Sequence, residues 1–203
     1  QHQLFQSNSK LLLALSGGRD SIVLADLLSK CGYNFSIAHC NFQLREAESE
    51  QDAKFADQTA TTYGCKFYCQ RFNTSQYASE NKISIQMSAR ELRLNWLEKT
   101  RKEEGFDYIV LAHHADDQSE TFFINLIRGS SIFGLKGMKP KQGLIVRPIL
   151  FASRSEINTY IKENKLKYRD DSSNFTSKYL RNHIRHHLIP ALKNTHSNAL
   201  NGL

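Results

Sequence analysis

Apolar residues fall in short blocks along the chain, and the blocks alternate between two rhythms. Residues 11–15, Leu-Leu-Leu-Ala-Leu, form an unbroken apolar run, the pattern of a strand covered on both faces. Further strand-like runs occupy 35–40, 65–72 and 107–112. Between them lie helical stretches at 22–28, 48–63 and 85–104, the last with Met87, Leu92, Trp96 and Leu97 on its apolar side. Gly32, Gly64 and Gly105 stand where these helices should stop. On 65–72, Cys65, Phe67 and Cys69 share one face by period two, which predicts two core thiols. Residues 73–84 read as a loop with a short helical turn, and a further helix after 112 ends near Gly129. The Gly- and Lys-rich stretch 130–142 predicts a mobile loop. A last strand is expected over 146–150, at a sheet edge because of Pro148.

Strands alternating with helices predict an α/β fold, a mostly parallel sheet with helices on both faces. Ligands of such sheets bind beyond the strand carboxyl ends, where the strand order switches. Polar clusters at 16–21, 39–45 and 113–120 each follow a strand, so the fold reading brings them to one rim. The first, Ser16-Gly17-Gly18-Arg19-Asp20-Ser21, is a glycine turn from strand to helix. Gly17 and Gly18 let the backbone approach a ligand closely. The helix start that follows offers free N–H groups to phosphate. The Gly-Lys-Ser/Thr end of a Walker loop is missing.

From about residue 153 the character changes. Residues 154–164 predict a helix, 168–174 a turn-rich polar link that includes Tyr168 and Arg169, and 179–193 a basic helix interrupted or stopped near Pro190. Residues 194–203 look frayed. The charge follows this division. Residues 1–135 carry 14 Lys/Arg against 16 Asp/Glu, whereas 136–203 carry 13 against 4, within a net charge of +7. A cationic end on a nearly neutral body points to a polyanionic partner, nucleic acid above all. No apolar run is long enough to cross a bilayer, and residues 1–10 hold no signal-peptide pattern. Cys31, Cys40, Cys65 and Cys69 form no Cys-x-x-Cys pair, which argues against a disulfide scaffold or zinc ribbon and fits a reducing cytoplasm.

The glycine turn resembles the Ser-Gly-Gly-x-Asp-Ser loop of the N-type ATP pyrophosphatases, the PP-loop family of adenine nucleotide alpha hydrolase-like fold. Further matches lie at His-Cys-Asn-Phe-Gln-Leu-Arg (39–45), Ser-Ala-Arg-Glu-Leu-Arg (88–93) and Ala-His-His-Ala-Asp-Asp-Gln-Ser-Glu-Thr (112–121). They continue through Gly-Leu-Lys-Gly-Met (134–138), Arg-Pro-Ile-Leu (147–150), Asp-Ser-Ser-Asn (171–174) and Arg-Asn-His-Ile-Arg (181–185). Together these resemble the bacterial tRNA(Ile)-lysidine synthetase family over nearly the whole chain. One departure is visible: members often carry a second His where Phe42 stands here. Members also continue well beyond this length, so the resemblance implies a PP-loop catalytic domain over 1–150 and a basic helical extension over 151–203.

The resemblance implies a ligase using ATP and Mg²⁺. It would join free L-lysine to the wobble cytidine of an isoleucine tRNA with a CAU anticodon, through an adenylated base. ATP contacts are then expected from Ala14, Ser16, Gly17, Gly18, Arg19, Asp20, Ser21 and His39, with Asp20 helping to hold the metal. Catalytic roles fall to Asp20, Arg90, His113 and Asp116, with His113 or His114 moving a proton near neutral pH. Lysine binding falls to Asp116, Asp117 and Glu120. Contacts to tRNA fall to Arg181, Asn182 and Arg185, joined by Lys178, His183, Lys136, Lys139 and Lys141. Arg181 and Arg185 sit four apart, on one helix face. A homodimer is retained as an option. The main alternative is a PP-loop tRNA thiolase, which would need a reactive cysteine pair or an iron–sulfur cluster. A small-metabolite synthetase and a non-catalytic RNA module are further rivals.

Overall fold

The structure, a computed structural model, describes residues 4–169 and 180–196. Six strands form one sheet in the order β3-β2-β1-β4-β6-β5. β1 (Leu11–Ala14), β2 (Phe35–Asn41), β3 (Phe67–Arg71), β4 (Tyr108–Val110) and β6 (Ile145–Val146) run parallel, and β5 (Lys141–Gln142) is antiparallel at one edge. β1 is central, with Leu11 beside Phe35 on one flank and Tyr108 on the other.

The unbroken apolar run of β1 has the expected cause. Leu11 and Leu13 belong to a core shared with α1 (Arg19–Lys30), α2 (Glu46–Thr62) and α7 (Arg154–Glu163). Leu12 points the other way, to Leu97 of α4 (Ile85–Glu103) and to Phe106. All three leucines are fully buried, so the strand has no wet face. The chain moves outward from β1 to β3, then returns through α3 (Thr74–Asn81) and α4 to β4, on the far side of β1. The strand order therefore reverses between β1 and β4, where a crevice is expected.

The larger core runs on past residue 150. Ala152, Ile157 and Ile161 belong to it, and Tyr160 of α7 donates to the carboxylate of Asp26 on α1 at 2.7 Å.

Several local expectations are corrected. The last strand is only two residues long and lies inside the sheet, because β5 covers its outer side through the tight turn at Gly143. Pro148, with no N–H to donate, follows the strand. The stretch 130–142 holds the short helix α6 (Ile132–Leu135) as well as β5. Cys65 is half-buried and Cys69 exposed, since β3 is an edge strand with β2 as its one partner in the sheet. Met87 is 53 % exposed on the first turn of α4, ahead of the buried contact at Leu97. Pro190 does not stop the C-terminal helix. α8 (Leu180–His183) runs through a π-helical turn at Ile184–Leu188 into α9 (Ile189–Thr195). The wider turn relieves the clash of the proline ring with the carbonyl four residues back. Most of the polar link, Lys178, Tyr179 and residues 197–203 lie outside the described residues.

Candidate active site

β1 ends at Ala14 and the chain turns at once through Ser16, Gly17 and Gly18 into α1. Gly17 takes φ +90°, a conformation that side-chain-bearing residues rarely adopt. The turn is braced internally. Ser16 Oγ lies 3.2 Å from Ser21 Oγ and accepts the Gly18 N–H at 3.3 Å, while Ser21 Oγ donates to the Gly18 carbonyl at 2.9 Å. No side chain caps α1. The N–H groups of a helix's first turn have no partner within the helix, and such a helix start is a ready receptor for an anion.

The other two polar clusters reach the same rim. A cavity of about 220 Å³ is walled by Ala14, Leu15, Ser16, Asp20 and Ser21 from the first turn, by Ala38, Cys40 and Phe42 from the second, and by Leu111, Ala112, His113 and Asp117 from the third. Arg93 of α4 completes the wall. A wider cleft of about 510 Å³ adjoins it, with Ser16, Cys40 and Phe42 common to both, and takes in His39 and Arg45. Phe42 stacks on Phe72 at 5.8 Å between ring centroids. His39 is buried, its Nδ1 2.9 Å from the Leu15 carbonyl, and burial lowers its pKa. It therefore ties the ends of β1 and β2 together.

Helix α5 (Ala115–Ile127) presents the third cluster. His113 accepts a hydrogen bond at Nδ1 from Arg147 Nε at 3.2 Å. Burial pushes its pKa down to about 4, with nearby Arg147 in the same direction. With Nδ1 accepting from Arg147, the neutral ring carries its proton on Nε2, where it can donate a hydrogen bond. His114 is 0 % exposed and ringed by carboxylates: Asp20 Oδ2 at 3.7 Å, Asp116 Oδ2 at 3.6 Å and Asp117 Oδ2 at 3.6 Å. Burial works against its charge, but Asp116, Asp117 and Asp20 together raise its pKa. Burial raises that of Asp20, which brings this carboxylate nearer the range of a useful proton acceptor.

The expected lysine-binding carboxylates part company. Asp117 lines the cavity and accepts the His114 N–H at 3.1 Å. Asp116 accepts the Arg154 N–H at 2.8 Å and faces a second cleft, between α5 and the C-terminal helices. Glu120 is fully buried and clasped by Arg181 Nε at 2.8 Å and Arg185 Nε at 2.5 Å. The two arginines expected to meet tRNA phosphates are therefore also engaged inward, and Asn182 between them is buried. Arg19 is directed away from the cavity: its guanidinium lies 4.7 Å from the Tyr168 ring centroid, and Nη1 donates to Asn158.

Arg90 is exposed, and the wall is formed by Arg93, one turn further along α4. Burial lowers the pKa of Arg93, and its buried Nε has no hydrogen-bond partner. Sequence reasoning missed Arg93, Arg147 and Arg154. For Arg93 a signal was present, since it stands three residues after Arg90 in the same stretch and on the same helix side.

A glycine turn, an uncapped helix start and rim carboxylates, gathered where a parallel sheet reverses its strand order, define a nucleotide-binding α/β domain. The family model of the PP-loop domain matches residues 1–192, and the chain belongs to that family. Over 203 residues it is 45% identical to the tRNA(Ile)-lysidine synthase of Bacteroides thetaiotaomicron, covering 100% of this chain and 48% of that one. Over 195 residues it is 45% identical to that of Porphyromonas gingivalis, covering 95% of this chain and 43% of that one. The chain thus spans about half the length of the curated relatives it matches. Among solved structures, the U34-tRNA thiolase NcsA from Methanococcus maripaludis, which carries a 4Fe-4S cluster, superposes with a TM-score of 0.80. It covers 99% of this chain and 72% of that one at 19% identity, a likeness of fold.

Proposed function

We propose that this chain carries the catalytic chemistry of a tRNA(Ile)-lysidine synthase. ATP activates the wobble cytidine of an isoleucine tRNA with a CAU anticodon, and free lysine then replaces the activated oxygen. In the first step the cytidine O2 attacks the α-phosphorus, the bond to the β-phosphate oxygen breaks, and pyrophosphate leaves. In the second the lysine ε-amine attacks C2, loses a proton and expels AMP. The observation that carries this reading is the convergence of the three strand-end clusters on one cavity, in a chain 45% identical throughout to a synthase of that name.

The residues suit the steps. The glycine turn and the first N–H groups of α1 receive the pyrophosphate, and Ala14 and Leu15 line the same cavity for the adenosine. Arg93 and the Nε2–H of His113 face the growing negative charge. Asp117, on the cavity wall, holds the lysine ammonium and takes its proton. Magnesium fits Asp20, which faces the cavity beside the glycine turn: the ion binds through one or two carboxylates plus phosphate oxygens and keeps several waters. Among the described residues no group of three or more His, Cys, Asp or Glu could hold a metal alone, so phosphate oxygens would complete the shell. When bound, the ion would neutralise pyrophosphate charge.

Residues 151–203 contribute contacts to tRNA in this reading, with further contacts from the part of the protein beyond this chain. The same proposal includes a cytoplasmic setting and leaves a homodimer open. Among the described residues no helix is long and apolar enough to cross a membrane. The thiolase alternative is less well supported by the thiols. Cys40 is the one cysteine on the cavity wall, and burial pushes its pKa up to about 12, far from a reactive thiolate. The test is reconstitution of the full-length protein with ATP, Mg²⁺, lysine and unmodified isoleucine tRNA. The expected result is AMP release with a tRNA mass gain equal to lysine less one water. AMP release without that gain overturns the lysine step, and no AMP release overturns the enzyme reading.

A further inference from the structure

The segment after α7 packs on the glycine turn. The Arg169 N–H donates to the Gly17 carbonyl at 3.0 Å. Its guanidinium reaches α2, where Nε pairs with Asp52 and Nη2 donates to Gln51 Oε1 at 3.1 Å. Asp52 is held in turn by Arg45 Nη2 at 3.0 Å, from the loop after β2. One residue earlier, the Tyr168 ring sits against Arg19 of the turn itself. Phe55 of α2 also crowds the turn, since a Cβ on Gly17 would lie 3.3 Å from its ring.

The Gly17 carbonyl and the Gly18 N–H belong to one planar peptide, and in a trans peptide they point in opposite directions. Holding the carbonyl toward Arg169 therefore aims the N–H the opposite way, where it now meets Ser16 Oγ, on the cavity wall, at a long 3.3 Å. Glycine on both sides of that peptide makes rotation cheap, so the orientation needs an outside hold. We infer that Arg169 is a positioning residue: anchored on Asp52 and Gln51, it fixes the Gly17–Gly18 peptide so that the Gly18 N–H faces the pyrophosphate portion of ATP. This rests on the nucleotide reading above. Arg169 touches no reacting atom; it acts through the turn.

The test is calorimetric binding of pyrophosphate and of AMP, measured separately on the full-length protein, its Arg169→Ala and Asp52→Asn variants and the double variant. Pyrophosphate affinity is expected to fall roughly ten- to a hundredfold in Arg169→Ala, the scale of a misplaced binding group, with AMP affinity unchanged. The double variant is expected to be no worse than Arg169→Ala, because both changes break one linkage. A merely structural link between α7 and α2 would weaken both ligands equally, or neither, and either result overturns the inference. A wild-type protein that binds no pyrophosphate overturns the nucleotide reading as well, whereas full pyrophosphate affinity in Arg169→Ala overturns this inference alone. Should Arg169→Ala not fold, Arg169→Lys keeps the charge but loses the fork spanning Asp52 and Gln51. Selective loss of pyrophosphate in that variant supports the inference, and unchanged affinity overturns it.

Discussion

Arg185 and Glu120 stand 65 positions apart in the chain, yet Arg185 Nε lies 2.5 Å from Glu120 Oε1. Arg181 takes the other carboxylate oxygen at 2.8 Å. One buried acid thus holds the basic C-terminal helices against α5. The same contact joins a residue expected to bind lysine to two expected to bind RNA.

Replacing Glu120 with Ala should therefore destabilise the protein. Removing one partner of a buried pair costs about 3–5 kcal/mol. Arg181 is 43% exposed and can turn to water, which places the expected loss near the lower end, roughly 3 kcal/mol. Urea denaturation measures it, and a loss below about 1 kcal/mol would show that the network carries little stability.

His113 makes stability depend on pH. Burial lowers its pKa from 6.5 to about 4 in the fold. Below pH 6.5 the unfolded chain takes up a proton that folded His113 refuses until about pH 4. The stability contributed by the neutral ring is whole above 6.5 and drains away as pH falls toward 4, at up to about 1.4 kcal/mol per pH unit. His39, also lowered by burial, acts in the same direction. His114, raised by its carboxylates, acts in the opposite one and loses its contribution as pH rises. Denaturant midpoints across this range should fall less steeply for His113→Gln than for the wild type. Identical slopes would mean the ring is not the source.

Arg93 faces the cavity, and the proposed reading gives it a ligand to meet. Its buried Nε has no partner, and a desolvated charge without full pairing costs stability. Arg93→Met should leave the thermal midpoint unchanged or higher, while AMP formation falls by roughly 10²-fold or more, as on loss of one preorganised charge-stabilising donor. Stability loss with normal turnover would reverse the assignment.

Gly17→Ala combines two penalties. The φ of +90° is unfavourable for alanine, at about 1–2 kcal/mol, and the new methyl must displace the Phe55 ring. Differential scanning calorimetry should show a modest drop in melting temperature. Pyrophosphate affinity should fall by more than that drop accounts for, because relief of the strain reorients the peptide that meets the phosphate. A melting temperature and affinity equal to wild type would show that the turn tolerates a side chain.

Much of this protein is local in origin and was legible in the chain. The leucine run of β1, the glycines that end α1, α2 and α4 and the strand–helix alternation predicted a parallel α/β sheet, and the structure has one. The three polar clusters could be placed on one rim because parallel strands put their carboxyl ends on the same side. Tertiary packing decided the rest. That β6 is interior, that Cys69 is exposed and that Arg93 lines the cavity depend on which element lies alongside, and periodicity carries no such information. The clasp of Glu120 by Arg181 and Arg185, and the hold of Arg169 on Gly17, join residues far apart in the chain. A side chain's rhythm along one element reports which face it shares, but what covers that face, and the identity of its charged partner, are set when separate elements close on each other in space.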